Sequence, residues 1–298
     1  MGMVDHFTEA SPPRLQQLLT AGRMRLGNDA AARLDAEVLL AHVLRRSRSA
    51  LIAEAERPVS APEAERFHAL IARRHAGEPV AYLTGEREFW SLPLSVDPAV
   101  LIPRAETELV VERALALLPA PPARTALVRA LDLGTGSGAI ALALASERPH
   151  WRLTASDRSA AALQVARSNA QRLGLQRVEF VLGDWFAPLA GKRFELICSN
   201  PPYVAAGDSA LAALRFEPRS ALTPGATGLE ALRHLIAQAP DHLEHGGWLV
   251  LEHGSEQAHA VAAALVATGY ALVRCHRDLA GHDRITEAQW GTCVHGSI

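Results

Sequence analysis

The sequence predicts an α/β fold, a mostly parallel, doubly wound sheet preceded by a small helical bundle. Three observations predict it. From Leu127 onward, short apolar strands alternate with helical stretches, the pattern of repeated β-α-β units. The first of these units turns on a glycine-rich segment, Gly134-Thr135-Gly136-Ser137-Gly138. Residues 11–77 carry their apolar side chains at helical spacing.

The chain divides into residues 1–77 as a helical domain, 78–103 as a β-hairpin linker and 104–298 as the sheet domain. Ser11-Pro12-Pro13 starts a helix carrying Leu15, Leu18 and Leu19. Gly27-Asn28-Asp29 breaks the chain and recaps it. The next helix carries Leu34, Val38 and Leu39 on one side, and a short piece follows near Leu51-Ile52. Ser60-Ala61-Pro62-Glu63 reads as a capping box with proline inside the first turn, and Phe67, Leu70 and Ile71 continue a buried face. Gly85, Pro93, Pro98 and Pro103 then punctuate apolar runs such as Glu88-Phe89-Trp90 and Val100-Leu101-Ile102, the pattern of a hairpin. Glu106 and Glu108 stand in the first turn of the helix that follows, where the helix dipole favours acids. Strands are expected over 128–133, 152–156, 178–182, 194–198 and 248–252, with closing strands over 270–276 and 284–290.

Composition removes several classes of function. The 298 residues hold 30 basic and 32 acidic side chains, a net charge of −2. No basic field exists to hold a long nucleic acid, so stable nucleic-acid binding is not expected. Cys198, Cys275 and Cys293 are far apart in the sequence and form no CxxC pair. Neither a disulfide framework nor a zinc site is expected, and a reducing compartment fits. His75, His253 and His282 show no metal-ligand spacing, and no metal is expected. Residues 1–10 lack the apolar core of a signal peptide, and no apolar run approaches the length of a membrane span. The cytoplasm and a monomer are the expected defaults.

The ends of the strands carry the chemistry. Ligands in such sheets bind at the carboxyl ends. Gly134, Thr135, Gly136, Ser137 and Gly138 let the backbone approach a ligand closely. Asp157 ends the second strand, where a carboxylate can accept both hydroxyls of a ribose. These features alone also satisfy a relaxed dinucleotide fingerprint. Two others favour S-adenosylmethionine. Asp132, before the glycines, can face a ligand's ammonium. Asp184-Trp185, at the third strand end, offers an acceptor for an adenine amine and a flat surface for its ring. The expected fold class is therefore the class I S-adenosylmethionine-dependent methyltransferase, with S-adenosylhomocysteine as the product.

Asn200-Pro201-Pro202-Tyr203 ends the fourth strand. In isolation it is a stiff turn, because two prolines fix φ and remove two donors. In this sheet it is a corner rich in acceptors. The Asn200 side-chain oxygen and the Pro201 carbonyl can hold both N–H bonds of a planar amino group, and Tyr203 can pack on its plane. Such a group is an amide or an exocyclic adenine amine. Asn200, Pro201, Pro202 and Tyr203 are the candidate catalytic residues. Gly134 to Gly138, Asp157, Trp185 and Asn200 are the candidate cofactor contacts.

With these residues in place, the chain resembles the protein-(glutamine-N5) methyltransferases of the HemK/PrmC type over nearly its full length. The segments that carry the resemblance include Arg87-Glu88-Phe89-Trp90, Leu101-Ile102-Pro103-Arg104, Thr107-Glu108, Arg215-Phe216-Glu217-Pro218, Leu251-Glu252-His253-Gly254, and Arg277-Asp278 with Arg284. The resemblance implies a target glutamine in the Gly-Gly-Gln loop of class-I peptide chain release factors. It also implies that the N-terminal helices serve as a release-factor contact or a lid. Ala105 stands where that family usually has proline, and 204–214 looks divergent. The alternative is N6-adenine methylation of DNA or RNA, which the same corner can serve.

Overall fold

The computed structural model describes residues 12–118 and 127–291. Ser11, Cys293 and the N-terminal residues 1–10 considered above lie outside the described residues. The chain forms two compact units, Met1–Gly85 and Glu86–Ile298.

The first unit is helical: α1 (Leu15–Leu26), α2 (Ala30–Leu44), α3 (Arg48–Ala53), α4 (Ala61–His75) and α5 (Val80–Thr84). Gly27, at φ 129°, ends α1, and the Asp29 side chain caps α2 by accepting from Ala32 N. Ser60 and Glu63 form the capping box of α4, with proline in its first turn. Leu15, Leu18, Leu39, Leu40, Phe67 and Ile71 meet in the core. Leu34, expected on the buried side of α2, is 44% exposed. α2 is apolar on more than one side, and its packing selects Ala32, Ala36, Leu39 and Leu40 instead.

The second unit opens with the hairpin β1 (Glu86–Phe89) and β2 (Leu92–Ser95). Trp90 and Ser91 make its turn, both at positive φ (52° and 59°), the geometry that matches the twist of a two-residue hairpin. Expected as a linker, residues 78–103 divide between the two units: α5 closes the first, and the hairpin packs on the core of the second. The Asn169 side chain donates to Ser95 O (3.0 Å) and Ser137 O (2.9 Å) and accepts from Ser95 N (2.7 Å), tying the hairpin to the glycine loop. Val100-Leu101-Ile102 forms no strand and runs as irregular backbone.

After a 3-10 turn over Ala105–Thr107 comes α6 (Glu108–Leu117). The sheet strands are β3 (Arg129–Leu133), β4 (Arg152–Asp157), β5 (Glu179–Leu182), β6 (Phe194–Ser199), β7 (Leu243–Glu252), β8 (Ala271–Arg277) and β9 (Asp283–Gln289). Helices α7 (Ala139–Glu147), α8 (Ala160–Arg172), α9 (Arg219–Leu222), α10 (Glu230–Gln238) and α11 (Ala258–Thr268) connect or flank them. Spatial order is β5-β4-β3-β6-β7-β9-β8. β3 to β7 pair in parallel, and β9 pairs antiparallel with both β7 and β8. Apolar clusters on the two faces bury the sheet, as a parallel sheet requires. Among the described residues no helix is long and apolar enough to cross a membrane.

Candidate active site

The strand order reverses between β3 and β6. Loops leaving these neighbours turn opposite ways and open a crevice at the carboxyl ends. A cavity of about 370 Å³ lies there. Its wall takes Gly134, Thr135, Gly136 and Ser137 from the loop after β3, and Asp157 from the end of β4. Asp184 and Trp185 come from the end of β5, and Asn200 and Pro202 from the end of β6.

The glycine loop is strained in the way only glycine tolerates: Gly134, Gly136 and Gly138 stand at φ 73°, 55° and 89°. Gly134 N and Thr135 N donate to Ser156 O at 2.9 and 3.0 Å. Gly136 N donates to Asp157 Oδ2 at 2.9 Å, and Ser159 N to Oδ1 at 2.8 Å. The carboxylate thus braces the loop, and each oxygen keeps a lone pair for a ligand hydroxyl. Gly138 is outside the cavity wall and begins α7; a Cβ there would meet Leu142 Cδ1 at 2.9 Å.

Asp132 is the carboxylate expected to face a ligand's ammonium. It is 0% exposed and lies beneath the loop, where Oδ2 accepts from Thr135 Oγ1 (2.7 Å) and Ala141 N (3.2 Å). Its Oδ1 is buried and has no hydrogen-bond partner among the described residues. Burial pushes its pKa up to about 7, against the pull of the Thr135 hydroxyl.

The Asn200 corner is anchored from several sides. Ser199 Oγ donates to Leu133 O at 2.7 Å, locking β6 to β3 just before it. Asn200 Nδ2 donates to Thr107 Oγ1 at 3.0 Å. Tyr203, expected to pack on the plane of the substrate group, is held in place by its own contacts. Its hydroxyl donates to Glu252 Oε1 at 3.1 Å, its carbonyl accepts from Gln257 Nε2 at 3.0 Å, and its ring packs on the core. A partly buried phenol needs a polar partner, and Glu252 supplies it. Burial, then the Glu252 charge, raises the Tyr203 pKa. Pro201 is buried, and neither it nor Tyr203 belongs to the cavity wall.

Three side chains gained no role from the residues alone. Thr107 is 4% exposed and holds Asn200. Glu252, at the end of β7 and 1% exposed, is pushed up to about 7 by burial, with the Thr107 and Tyr203 hydroxyls pulling down. Glu217 accepts from Ile102 N at 3.0 Å through Oε2 and takes the Arg104 guanidinium on Oε1. It thereby joins the loop after β6 to the segment before α6, both of which wall the cavity through Pro218, Leu101 and Pro103. An acid ending an apolar strand, as Glu252 does, was the available signal. Among the described residues no cluster of three His, Cys, Asp or Glu side chains could hold a metal ion.

Residues 17–85 match the PrmC N-terminal domain, and residues 114–225 match the methyltransferase small domain. The release factor glutamine methyltransferase of Pseudomonas aeruginosa is 52% identical over 268 residues, spanning 89% of this chain and 95% of the relative. Its counterpart from Vibrio cholerae is 48% identical over 271 residues, spanning 89% of this chain and 92% of the relative. A solved methyltransferase from Pyrococcus furiosus has a TM-score of 0.51 at 18% identity, covering 78% of this chain and 100% of its own, and shares the fold. Identity of this extent across both matched domains, on a class I methyltransferase sheet, places the chain in one family: it belongs to the release factor glutamine methyltransferases.

Proposed function

We propose that this protein methylates the side-chain amide nitrogen, N5, of the glutamine in the Gly-Gly-Gln loop of class-I peptide chain release factors. S-adenosylmethionine is the donor in this reading and S-adenosylhomocysteine the product. The residues present fit that donor. Three positive-φ glycines keep the cradle open; a Cβ at Gly136 would meet nothing, so its face is bare. Asp157 keeps acceptors for ribose hydroxyls, and Asp184 with Trp185 suits the adenine amine and ring. Bound there, the donor supplies an electrophilic methyl group on a sulfonium.

The chain's own work is to hold the acceptor nitrogen. An amide nitrogen is a poor nucleophile because its lone pair is delocalised. With Nδ2 engaged by Thr107, Asn200 keeps Oδ1 as an acceptor. Oδ1 and the Pro201 carbonyl take the two N–H bonds of the glutamine amide, turning its lone pair to the methyl and stabilising positive charge growing on nitrogen. The new N–C bond forms as the S–C bond breaks, the sulfur keeps that electron pair, and one amide proton leaves to solvent afterwards. The N-terminal helices contact the release factor in the same reading. A cytoplasmic monomer without a metal completes it.

The orientation of the Asn200 amide carries this proposal. Its test is incubation with labelled S-adenosylmethionine and, separately, a release factor, the same factor with its loop Gln→Ala, and duplex DNA. Label is expected on the intact factor alone. Label on DNA alone supports adenine methylation instead, which the net charge of −2 disfavours.

A further inference from the structure

A loop built on glycines needs something to stop its peptides turning over. In the segment after β3, Ser137 sits between Gly136 and Gly138, at φ 55° and 89°. Glycine moves between positive and negative φ at little cost, so the peptide joining Ser137 to Gly138 is free to turn unless it is held. Once turned, its carbonyl and its N–H exchange sides, and the loop presents the wrong groups. Two hydrogen bonds oppose that. Gly138 N donates to Thr135 O at 2.8 Å. Asn169 Nδ2, from α8, donates to Ser137 O at 2.9 Å.

The first bond lies within the loop, and the second comes from outside it. Asn169 is 0% exposed. Its Oδ1 accepts from Ser95 N at 2.7 Å, and its Nδ2 donates to Ser95 O at 3.0 Å. Pairing with both backbone groups of one β2 residue fixes the direction of the amide. Turned over, Oδ1 would face Ser95 O and Nδ2 would face Ser95 N. Both hydrogens of Nδ2 are thereby committed, one to Ser95 O and one to Ser137 O. Arg172, one turn further along α8, holds the same hairpin by donating to Ser95 Oγ and to Glu86 Oε2.

We infer that Asn169 is a positioning residue of the cofactor cavity, and that the β1–β2 hairpin aims it through the Ser95 backbone. Ser137 lines the cavity, whereas Ser95 and Asn169 lie outside its wall. The hairpin therefore acts on the cofactor without touching it. The inference rests on S-adenosylmethionine being the ligand of this cavity. It adds a source for the rigidity of the loop: a cradle already in shape binds without the entropy cost of being ordered. The coupling is reciprocal, so a ligand that steadies Ser137 also steadies Ser95.

The test measures S-adenosylhomocysteine binding by calorimetry to wild type, Asn169→Asp and Asn169→Ala. Methyl transfer at saturating cofactor and amide exchange at Ser95, with and without S-adenosylhomocysteine, are measured alongside. Asn169→Asp keeps an acceptor for Ser95 N but sets its second oxygen against two carbonyls; protonated, it has one hydrogen for both. Affinity is expected to fall about 10- to 100-fold in Asn169→Asp and about 10-fold in Asn169→Ala, and the transfer rate at saturation to fall less. In wild type the cofactor is expected to slow exchange of the Ser95 amide, and in Asn169→Asp to lose that effect. A variant that had only lost stability would keep wild-type affinity in its folded fraction. Affinity within about twofold of wild type in either folded variant overturns the inference. If neither variant folds, wild-type exchange decides, and a Ser95 amide indifferent to the cofactor overturns it. Wild type that binds no S-adenosylhomocysteine overturns the reading of the cavity and the inference together; wild type that binds, with unmoved variants, overturns the inference alone.

Discussion

Asn200 Nδ2 donates to Thr107 Oγ1 across 3.0 Å, joining two residues 93 positions apart in the chain. One lies just past β6, at the strand-order reversal; the other ends the turn before α6. The contact lets a segment that precedes the whole sheet orient the residue at the centre of the cavity. Other contacts of this corner have consequences that can be measured.

Gly228 presses on the same corner. It stands at φ 77°, and a Cβ on it would lie 2.4 Å from Tyr203 O. Gln257 Nε2 also bridges Tyr203 O and Gly228 O, at 3.0 and 3.2 Å. Gly228→Ala is expected to cost about 1–3 kcal/mol of stability through backbone strain and displacement. Because the displaced atom belongs to the Asn200-Pro201-Pro202-Tyr203 corner, methyl transfer is expected to fall more than cofactor binding. Urea unfolding and transfer assays on one preparation check both.

Glu217 fastens two walls of the cavity to each other. Glu217→Ala leaves Ile102 N without its acceptor and Arg104 without its carboxylate. Stability is expected to drop by about 1–3 kcal/mol. S-adenosylmethionine is expected to dissociate faster, since Leu101, Pro103 and Pro218 are no longer held together. Stopped-flow displacement of the bound cofactor measures it; an unchanged dissociation rate contradicts the role given to Glu217.

Two buried carboxyls predict the pH dependence of stability. Asp132 and Glu252 are each pushed up to about 7 by burial, from ordinary values of 3.8 and 4.5. A raised folded pKa means that the folded state binds protons the unfolded chain has released. The stability these groups contribute is full below their unfolded values and is lost as pH rises through about 7. Each contributes on the order of 3 kcal/mol across that window. Thermal melts from pH 5 to pH 8.5 are expected to fall steadily up to about 7 and level off above it, and Glu252→Gln is expected to make the fall shallower.

Much of the sheet was legible because strand ends announce themselves: Gly134, Asp157, Asp184 and Asn200 each stop an apolar run where the chain must turn. The structure gathers all four around one cavity. The direction of a side chain was less legible. Asp132 is wholly buried where Asp157 is partly exposed, and its hydrogen bond to Thr135 braces the loop. Partnerships between distant segments were not legible at all. Thr107 to Asn200 and Tyr203 to Glu252 close only once the sheet order is set. Leu34 shows the limit of periodicity on α2, where alanines can be buried in place of a leucine.

Methyl transfer is predicted to depend on Asn200 accepting from the substrate amide. Its most direct test is single-turnover methyl transfer to an intact release factor by wild type and Asn200→Ala, with S-adenosylmethionine affinity measured by calorimetry. Losing one hydrogen bond costs about 1–3 kcal/mol, and the misoriented amide adds to that. Transfer is therefore predicted to fall by about two orders of magnitude or more, with most cofactor binding and the fold retained. Turnover near the wild-type rate would contradict the account.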